Sequence, residues 1–348
     1  MAACCVLSAC TAGQPDAPGP SSPAAPFTQP QPPPAGLPGA AADGISVRLL
    51  LPTSPPSVFD ADTGKTARVA GAPGGNRSNY VIQAGKHPVL VSAPVCQPTA
   101  CTTPSDVLAY SAADGSVQTL GKALSAAPTA DGEGVWLIRD DGNDNCRLQR
   151  VSFAGVQTDA GQSASCGTTV RTDGPKGLLI RVNDGTQSYE DVLIDPVTGR
   201  TVQQAPHILG LIGNRLLIEE LSGFTVLDLD TGTKVALKRP GTDGQASDLL
   251  PSPDGRRAAI QFGVPSWRST STQVVDVWVL DLDTPQWLQA PSMPYSGDLK
   301  HCALDWSGAG DLVLADTVVA AWHPGEPSWR LAKAPLPPER GSTIAVLR

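Results

Sequence analysis

The sequence predicts an all-β protein, a seven-bladed β-propeller of four-stranded antiparallel blades, from three observations. Seven times a short apolar run ends in a turn and restarts, and successive turns lie between 33 and 53 residues apart, about one blade length. The 35 glycines and 34 prolines favour short strands with tight turns. No helical periodicity extends over about a dozen residues. The turns are 62–64, 114–115, 154–155, 198–199, 230–232, 283–285 and 324–325.

The N-terminal segment predicts a lipid anchor. Residues 1–10, MAACCVLSAC, end in a motif that resembles the cleavage site of bacterial lipoprotein signals, with Cys10 as the lipidated residue. No Lys or Arg precedes the apolar stretch, which is shorter than a normal secretory signal core. We therefore expect a signal remnant over 1–10 whose basic beginning was lost through a start assigned too late. A lipid on Cys10 places the protein at the cell membrane, on its extracytoplasmic side.

The next segment predicts a tether. Residues 11–43 hold ten prolines among Ala, Gly and Ser, so they have little apolar surface to bury. Such compositions stay extended and disordered. The propeller domain is then expected over 44–348.

From residue 44 onward, short strands can be assigned to successive blades. Blade 1, with runs at 45–51, 58–60 and 66–69, lacks an inner strand, and the run at 342–347 has no partner in blade 7. Donating this last strand to blade 1 closes the ring in a 3+1 arrangement and removes two exposed edges. The runs of blades 2 to 7 are 80–83, 89–91, 107–110 and 117–120; 135–138, 148–153 and 156–158; 178–182, 192–194 and 201–202; 216–218, 224–228 and 234–237; 257–262, 275–281 and 287–288; 312–314, 318–322 and 329–331.

The turn residues carry a family resemblance. Residues 252–256, SPDGR, resemble the S-P-D-G-[KR] turn of TolB-like and WD-repeat-like bacterial propellers, and 305–308, DWSG, are a degenerate version. The turns DADTGK at Asp60 and DLDTGT at Asp228 are similar to those of quinoprotein-like and lactonase-like propellers. The resemblance implies the fold, and because only turn residues carry it, it says little about activity.

Cysteine positions predict two disulfides in an exported protein. Cys96 and Cys101 flank a short loop of blade 2, and a bridge would close it. Cys146 and Cys166 fall at strand starts of blades 3 and 4 that lie at one face of a propeller, so they are expected to pair. Cys302 is then the unpaired cysteine, either buried as a small hydrophobic residue or left reactive.

Charge and motifs exclude several functions. A net charge of −8 with 17% charged residues offers no basic field for nucleic acid. Residues 140–145 match the start of a calcium loop only in part, since Cys146 replaces its glycine. The three DxD pairs at Asp60, Asp228 and Asp281 are expected to shape turns. Neither HxH, HExxH nor GxSxG occurs, so no metal, cofactor or serine nucleophile is expected.

Two long loops of blade 6 predict a binding surface. They span 263–273 and 291–300, and they carry residue types that are enriched at protein-binding hot spots. An alternative is that Trp267 and Tyr295 fold back to cover the edge of blade 6. The strand aromatics Phe224, Trp136, Trp278 and Trp322 are expected to pack between blades. The candidate binding residues are Trp267, Arg268, Tyr295, Lys300 and His301.

These observations favour a lipid-anchored, extracytoplasmic propeller that binds an envelope protein or ligand without catalysis, and a monomer is expected. The alternative is a lactonase- or hydrolase-like propeller enzyme whose catalytic groups line the central channel. A ring of converging carboxylates or histidines would favour the enzyme.

Overall fold

The structure is a computed structural model, and it describes residues 44–75, 77–94, 104–142, 145–159, 161–183, 189–205, 207–242, 244–263, 275–292, 303–316, 318–337 and 343–348. In these ranges the regular structure is entirely β, in seven four-stranded antiparallel sheets. No helix in the described ranges is long and apolar enough to cross a membrane. The predicted fold class, a seven-bladed β-propeller, is confirmed.

Each blade takes its strands from consecutive sequence, except blade 1. Blade 1 contains β1 (Arg48–Leu51), β2 (Ser57–Asp60) and β3 (Thr66–Arg68); blade 2 contains β4 (Arg77–Ile82), β5 (Val89–Pro94), β6 (Ser105–Tyr110) and β7 (Val117–Ala123); blade 3 contains β8 (Ser125–Pro128), β9 (Gly134–Gly142), β10 (Asn145–Ser152) and β11 (Gln162–Ala164). Blade 4 contains β12 (Thr168–Gly174), β13 (Gly177–Asn183), β14 (Tyr189–Ile194) and β15 (Thr201–Ala205); blade 5 contains β16 (Ile208–Ile212), β17 (Arg215–Glu220), β18 (Gly223–Asp228) and β19 (Lys234–Lys238). Blade 6 contains β20 (Gln245–Pro251), β21 (Arg257–Gly263), β22 (Val275–Asp281) and β23 (Gln286–Gln289); blade 7 contains β24 (Ala303–Trp306), β25 (Leu312–Ala315), β26 (Val319–Trp322) and β27 (Arg330–Leu331).

The inner strand of blade 1 is β28 (Ala345–Val346), which comes from the far end of the sequence. Ala345 pairs with Leu50 and Val346 with Leu49, antiparallel to β1. The innermost edge of blade 1 is therefore covered, as the 3+1 arrangement requires.

The strand assignment of blade 3 was wrong at its outer edge. Residues 156–158 form only an isolated bridge between Val151 and Gln157, and the outer strand is β11. The predicted runs also omit the inner strands of blades 3 to 7. The strand β8 consists of small residues, and β12 is composed mostly of polar residues. The strand β16 was missed although all its residues are buried, and only Gly213 and Asn214 separate it from β17.

The core is divided among the junctions between blades. Seven buried apolar clusters occur in the described residues, and each joins two neighbouring blades around the ring. Phe224, Trp136 and Trp322 are buried in them, and Trp278 packs against one, as predicted. Each blade thus buries its faces only by stacking on its neighbours.

The DxD pairs shape turns, as predicted. The first carboxylate of each pair accepts backbone N–H groups two and three residues ahead, at 3.1 and 2.8 Å for Asp60 and at 3.0 and 2.9 Å for Asp228. Asp281 does the same at 3.0 and 3.2 Å. This Asx-turn geometry favours a tight hairpin between the two outer strands of a blade.

Candidate functional site

Two cavities offer candidate sites in the described part of the chain. One is the central channel, about 830 Å3, which is lined by inner strands and the turns that follow them. The other, here called the cleft, has a volume of about 990 Å3 and is lined by residues of blades 4, 5 and 6. The charged side chains of the channel and those of the cleft have different bonding partners.

Asp173, at the end of β12, lines the channel. Its carboxylate accepts the N–H of Ala130 and the indole N–H of Trp136, both at 2.9 Å, so it links blade 4 to blade 3. Burial raises the pKa of this carboxyl group, although these hydrogen bonds oppose the rise. The Asp173 carboxylate therefore connects blades 3 and 4.

Asp305, on β24, also lines the channel and is 2% exposed. It accepts the N–H of Trp306 at 2.7 Å and that of Val346 at 2.6 Å, so it ties blade 7 to β28. The nearest cation is the Arg348 guanidinium, at 3.5 Å. Burial raises the pKa of Asp305 from its ordinary value of 3.8 to about 6, despite Arg348 and the two N–H donors.

These carboxylates do not converge on a common point for metal chemistry. Within the described ranges, no group of three or more His, Cys, Asp or Glu side chains could hold a metal ion. The described channel residues therefore offer no metal-binding cluster of this kind.

The cleft is built where the inner strand of blade 4 is irregular. The pairing of β12 with β13 shifts register between Val170 and Thr172, which leaves Arg171 as the extra residue of a β-bulge. Its guanidinium donates to the carbonyl oxygens of Ile208 and Leu209 on β16, the latter at 2.9 Å. The bulge therefore directs a cation from blade 4 onto the inner strand of blade 5.

Beneath the cleft lies Asp191 of β14, which is fully buried. Arg181 contacts both of its carboxylate oxygens, at 2.9 and 3.0 Å, and Arg171 contacts one at 3.2 Å. The N–H of Ile208 also donates to it, at 3.2 Å. Hydrogen bonding to Asp191 raises the pKa of Arg181. The two cations are thereby held rigidly on a buried anion.

A second polar group forms the blade 5 side. Glu219 of β17 contacts the His207 imidazole at 3.0 Å and pairs with the Arg239 guanidinium. Burial raises the pKa of Glu219, but the nearby His207 and Arg239 side chains outweigh this effect, and the pKa lies below its ordinary value. Arg239 also lies 5.2 Å above the Phe224 ring and donates to the carbonyl of Gly244 at 3.0 Å.

Two large apolar side chains stand exposed at the rim of the cleft. Tyr189 is 50% exposed, and its ring lies 4.2 Å from the guanidinium carbon of Arg181. Leu221, in the turn between β17 and β18, is fully exposed. Exposed apolar groups beside ordered polar groups are typical of a recognition surface.

The predicted binding residues of blade 6 lie outside the described residues, as do Cys10, Cys96, Cys101 and Cys302. They are Trp267, Arg268, Tyr295, Lys300 and His301. The strand ends that flank the first loop are described: Gly263 pairs with Gln245, which lines the cleft, and with Val275. The last described residue before the segment that carries Trp267 and Arg268 therefore pairs with a residue of the cleft lining.

A disulfide joins Cys146 to Cys166, the pair expected from the strand positions. The sulfur atoms are 2.04 Å apart and the Cα atoms 5.1 Å apart. Cys146 lies on β10, and Cys166 lies two residues before β12 rather than at its first position. The bridge therefore fastens blade 3 to the connection that enters blade 4.

No motif or spacing in the sequence predicted the cleft residues. Arg171, Arg181 and Asp191 are spread over three strands, and His207 is twelve positions from Glu219. Their proximity depends on strand pairing, which the hydrophobic pattern alone does not specify.

Comparison with known proteins places the chain among propellers. No protein-family model and no curated protein matches the sequence. The periplasmic gluconolactonase of Pseudomonas aeruginosa is similar with a TM-score of 0.53 at 14% identity, over 87% of this chain and 99% of that one. An oligogalacturonate lyase in complex with manganese gives 0.52 at 12% identity, over 83% and 85%. TolB from Acinetobacter baumannii gives 0.40 at 15% identity, over 88% and 66%. Identities this low show the fold alone.

Proposed function

We propose that this chain is a lipid-anchored, extracytoplasmic propeller that binds an envelope protein or ligand and carries out no catalysis. The observation that carries the proposal is the cleft, where exposed Tyr189 and Leu221 flank guanidinium groups held in place by buried or half-buried carboxylates. Side chains fixed before the ligand arrives lose little entropy on binding, which strengthens recognition.

The expected binding loops of blade 6 remain part of the proposal. Gly263, the last described residue before the first loop, pairs with Gln245 of the cleft lining. The Cys10 motif and the Pro-rich tether, residues 11–43, support a protein held a short distance from a membrane.

One observation favours the alternative, an enzyme that works in the channel. Asp305 lines the channel with a pKa raised to about 6, as a general acid requires. Each of its oxygens, however, accepts a backbone N–H, from Trp306 or Val346. A carboxylate that joins two blades in this way is poorly placed to transfer a proton, and we favour binding.

The cleft is tested with the double variant Tyr189→Ala/Leu221→Ala, using Val197→Ala as the matched control. Val197 is 84% exposed and lies at the other end of β14 from Tyr189. Retention of the purified protein on envelope fractions should fall about 30-fold in the double variant, since hot-spot truncations cost about 2 kcal/mol or more of binding. The control should bind normally, and the melting temperature should change in neither. Undiminished retention in the double variant would contradict a binding role for the cleft.

The same assay examines the blade 6 loops and the anchor. Trp267→Ala and Tyr295→Ala should weaken retention without lowering the melting temperature; a lower melting temperature with intact retention would instead assign both to covering the blade. In native cells, Cys10→Ala should release the full-length protein from membranes. Mass spectrometry that found an unmodified mature N-terminus would contradict the anchor.

A further inference from the structure

We infer that the cleft binds an acidic saccharide, a chain of sugar rings that carry carboxylate groups. This inference rests on the proposed binding function and specifies the ligand. Four properties of the cleft point to it: its polarity, its charge balance, its mixture of donors and acceptors, and its exposed aromatic ring.

The cleft is too polar for the centre of a protein interface. Eleven of its sixteen lining residues have polar or charged side chains. The cores of protein–protein interfaces are depleted in charged residues, whereas sites for hydroxylated ligands need many hydrogen-bonding groups. A volume of about 990 Å3 is at the upper limit of the ~300–1,000 Å3 typical of small-molecule sites, which suits a ligand of several rings.

The cleft is richer in cations than the rest of this acidic protein. Its lining holds four permanent cations, Arg171, Arg181, Lys234 and Arg239, against two anions, Glu219 and Glu220. The carboxylates of buried Asp191 and of Glu190, which accepts a hydrogen bond from Gln204 of the lining, balance the other two. The whole chain has a net charge of −8, so this balanced region repels an anionic ligand less than the rest of the surface does.

Donors and acceptors are interleaved, as hydroxyl groups require. A hydroxyl both donates and accepts, whereas a phosphate or an isolated carboxylate needs donors alone. Arg181 uses Nε and Nη2 on Asp191, and its Nη1 makes no hydrogen bond to another residue that the structure describes. Glu220 and Gln203 supply acceptors in the same lining.

Tyr189 supplies a stacking surface. One face of its ring lies against the guanidinium of Arg181, which the buried Asp191 holds in place. The side chain remains half exposed toward the cleft. A sugar ring presents a face of C–H groups that can pack on such an aromatic surface, while its hydroxyls reach the polar groups around it.

Titration calorimetry with uronic-acid oligosaccharides of four to six rings tests the inference. Reducing the carboxylates to alcohols gives a neutral probe of equal shape, and its affinity should fall about tenfold. Tyr189→Ala should weaken binding about tenfold or more, with Val197→Ala as control. Lys234→Gln should weaken binding about threefold and reduce its salt dependence, whereas Lys238→Gln, an exposed change on the same strand outside the lining, should have no effect. Equal affinity for acidic and neutral probes, no binding at millimolar concentration, or indifference to Tyr189→Ala would overturn the inference.

Treated envelope fractions separate failure of this inference from failure of the proposed function. Retention that depends on Tyr189 and disappears after periodate, which cleaves sugar diols, supports a saccharide. Retention that depends on Tyr189 but disappears only after protease overturns the saccharide and leaves the binding function standing. Retention that no cleft variant changes overturns both.

Discussion

Two junctions between neighbouring blades each contain a buried aspartate, and the groups that contact the carboxylate differ between them. At the junction of blades 4 and 5, Asp191 has two guanidinium groups within 3.2 Å, one of them contacting both oxygens. At the junction of blades 7 and 1, Asp305 has two backbone N–H donors, and its single guanidinium neighbour lies at 3.5 Å.

The difference shows what balances a buried charge. Backbone donors and one distant cation do not offset the burial of Asp305, so its pKa rises to about 6. Asp191 belongs to a compact ion cluster, in which removing one member leaves the others buried without compensation. The junction of blades 7 and 1 is held by hydrogen bonds that survive protonation in part, and the junction of blades 4 and 5 is held by charge.

The largest effect is expected from Asp191→Asn. The change leaves Arg171 and Arg181 on a neutral partner, and breaking a buried ion pair costs about 3–5 kcal/mol. Urea unfolding measures the loss. Asp106→Asn is the matched control, because Arg77 and Asp106 form a partly exposed pair at 2.7 Å, and it should cost less than about 1 kcal/mol. Equal losses of unfolding free energy in Asp191→Asn and Asp106→Asn would show that burial does not determine how much an ion pair contributes.

The disulfide between Cys146 and Cys166 links blade 3 to the connection that enters blade 4. Its removal should cause the second largest loss of stability. The cysteines are separated by 20 positions. Cys146→Ala/Cys166→Ala should lower the free energy of unfolding by about 3 kcal/mol, because the unfolded chain regains the entropy of the opened loop. Reduction of the wild type should reproduce the loss, and the variant should no longer respond to reductant. A variant as stable as the oxidised wild type would show that the ion cluster and strand contacts suffice.

Asp305→Asn should have a smaller effect that depends on pH. The folded state binds this proton more tightly than the unfolded chain, whose ordinary pKa is 3.8, so this group adds stability as the pH falls through about 6 toward 4. The protonation of Asp305 can change the free energy of unfolding by at most on the order of 3 kcal/mol. The stability lost on mutation should therefore be greater at pH 4.5 than at pH 7.5, by about 1–2 kcal/mol. A loss independent of pH would contradict the raised pKa.

The smallest effect is expected for an Arg–Asp pair that is exposed to solvent. Arg256 pairs with Asp283, and their side chains are 66% and 43% exposed. Arg256→Gln should leave the melting temperature unchanged, because solvent screens an exposed pair. A decrease comparable to that of Asp191→Asn would remove the reason for ranking these pairs by burial.

The sequence predicted the ring, its closure and one disulfide, because each depends on strand patterns and turn residues. Asp60 and Asp228 predict their hairpins, because the side chain that is typical of the turn also accepts the hydrogen bonds that stabilise the turn. The inner strands were harder to predict, because residues such as Arg171 and Thr172 on β12 line the channel rather than an apolar core.

The cleft could not be predicted in the same way. Arg171 reaches Asp191 only because a bulge breaks the alternation of β12, and no turn residue or hydrophobic period marks that bulge. His207 and Glu219 meet across the pairing of β16 with β17, whose register is itself shifted near Leu209. A site made of such cross-strand contacts becomes visible only when the register is known.

The closing strand also sets the order in which the protein can be completed. The inner edge of β1 is paired by residues almost 300 positions later, Leu49 with Val346. While the ribosome is still adding blades 2 to 7, blade 1 must wait as a three-stranded sheet with an open edge, which can pair with another chain. Contacts between such distant positions form slowly. An emerging chain of this kind would benefit from a chaperone that covers β1 until residues 345–346 arrive, and truncation just before them should favour aggregation over a stable shorter ring.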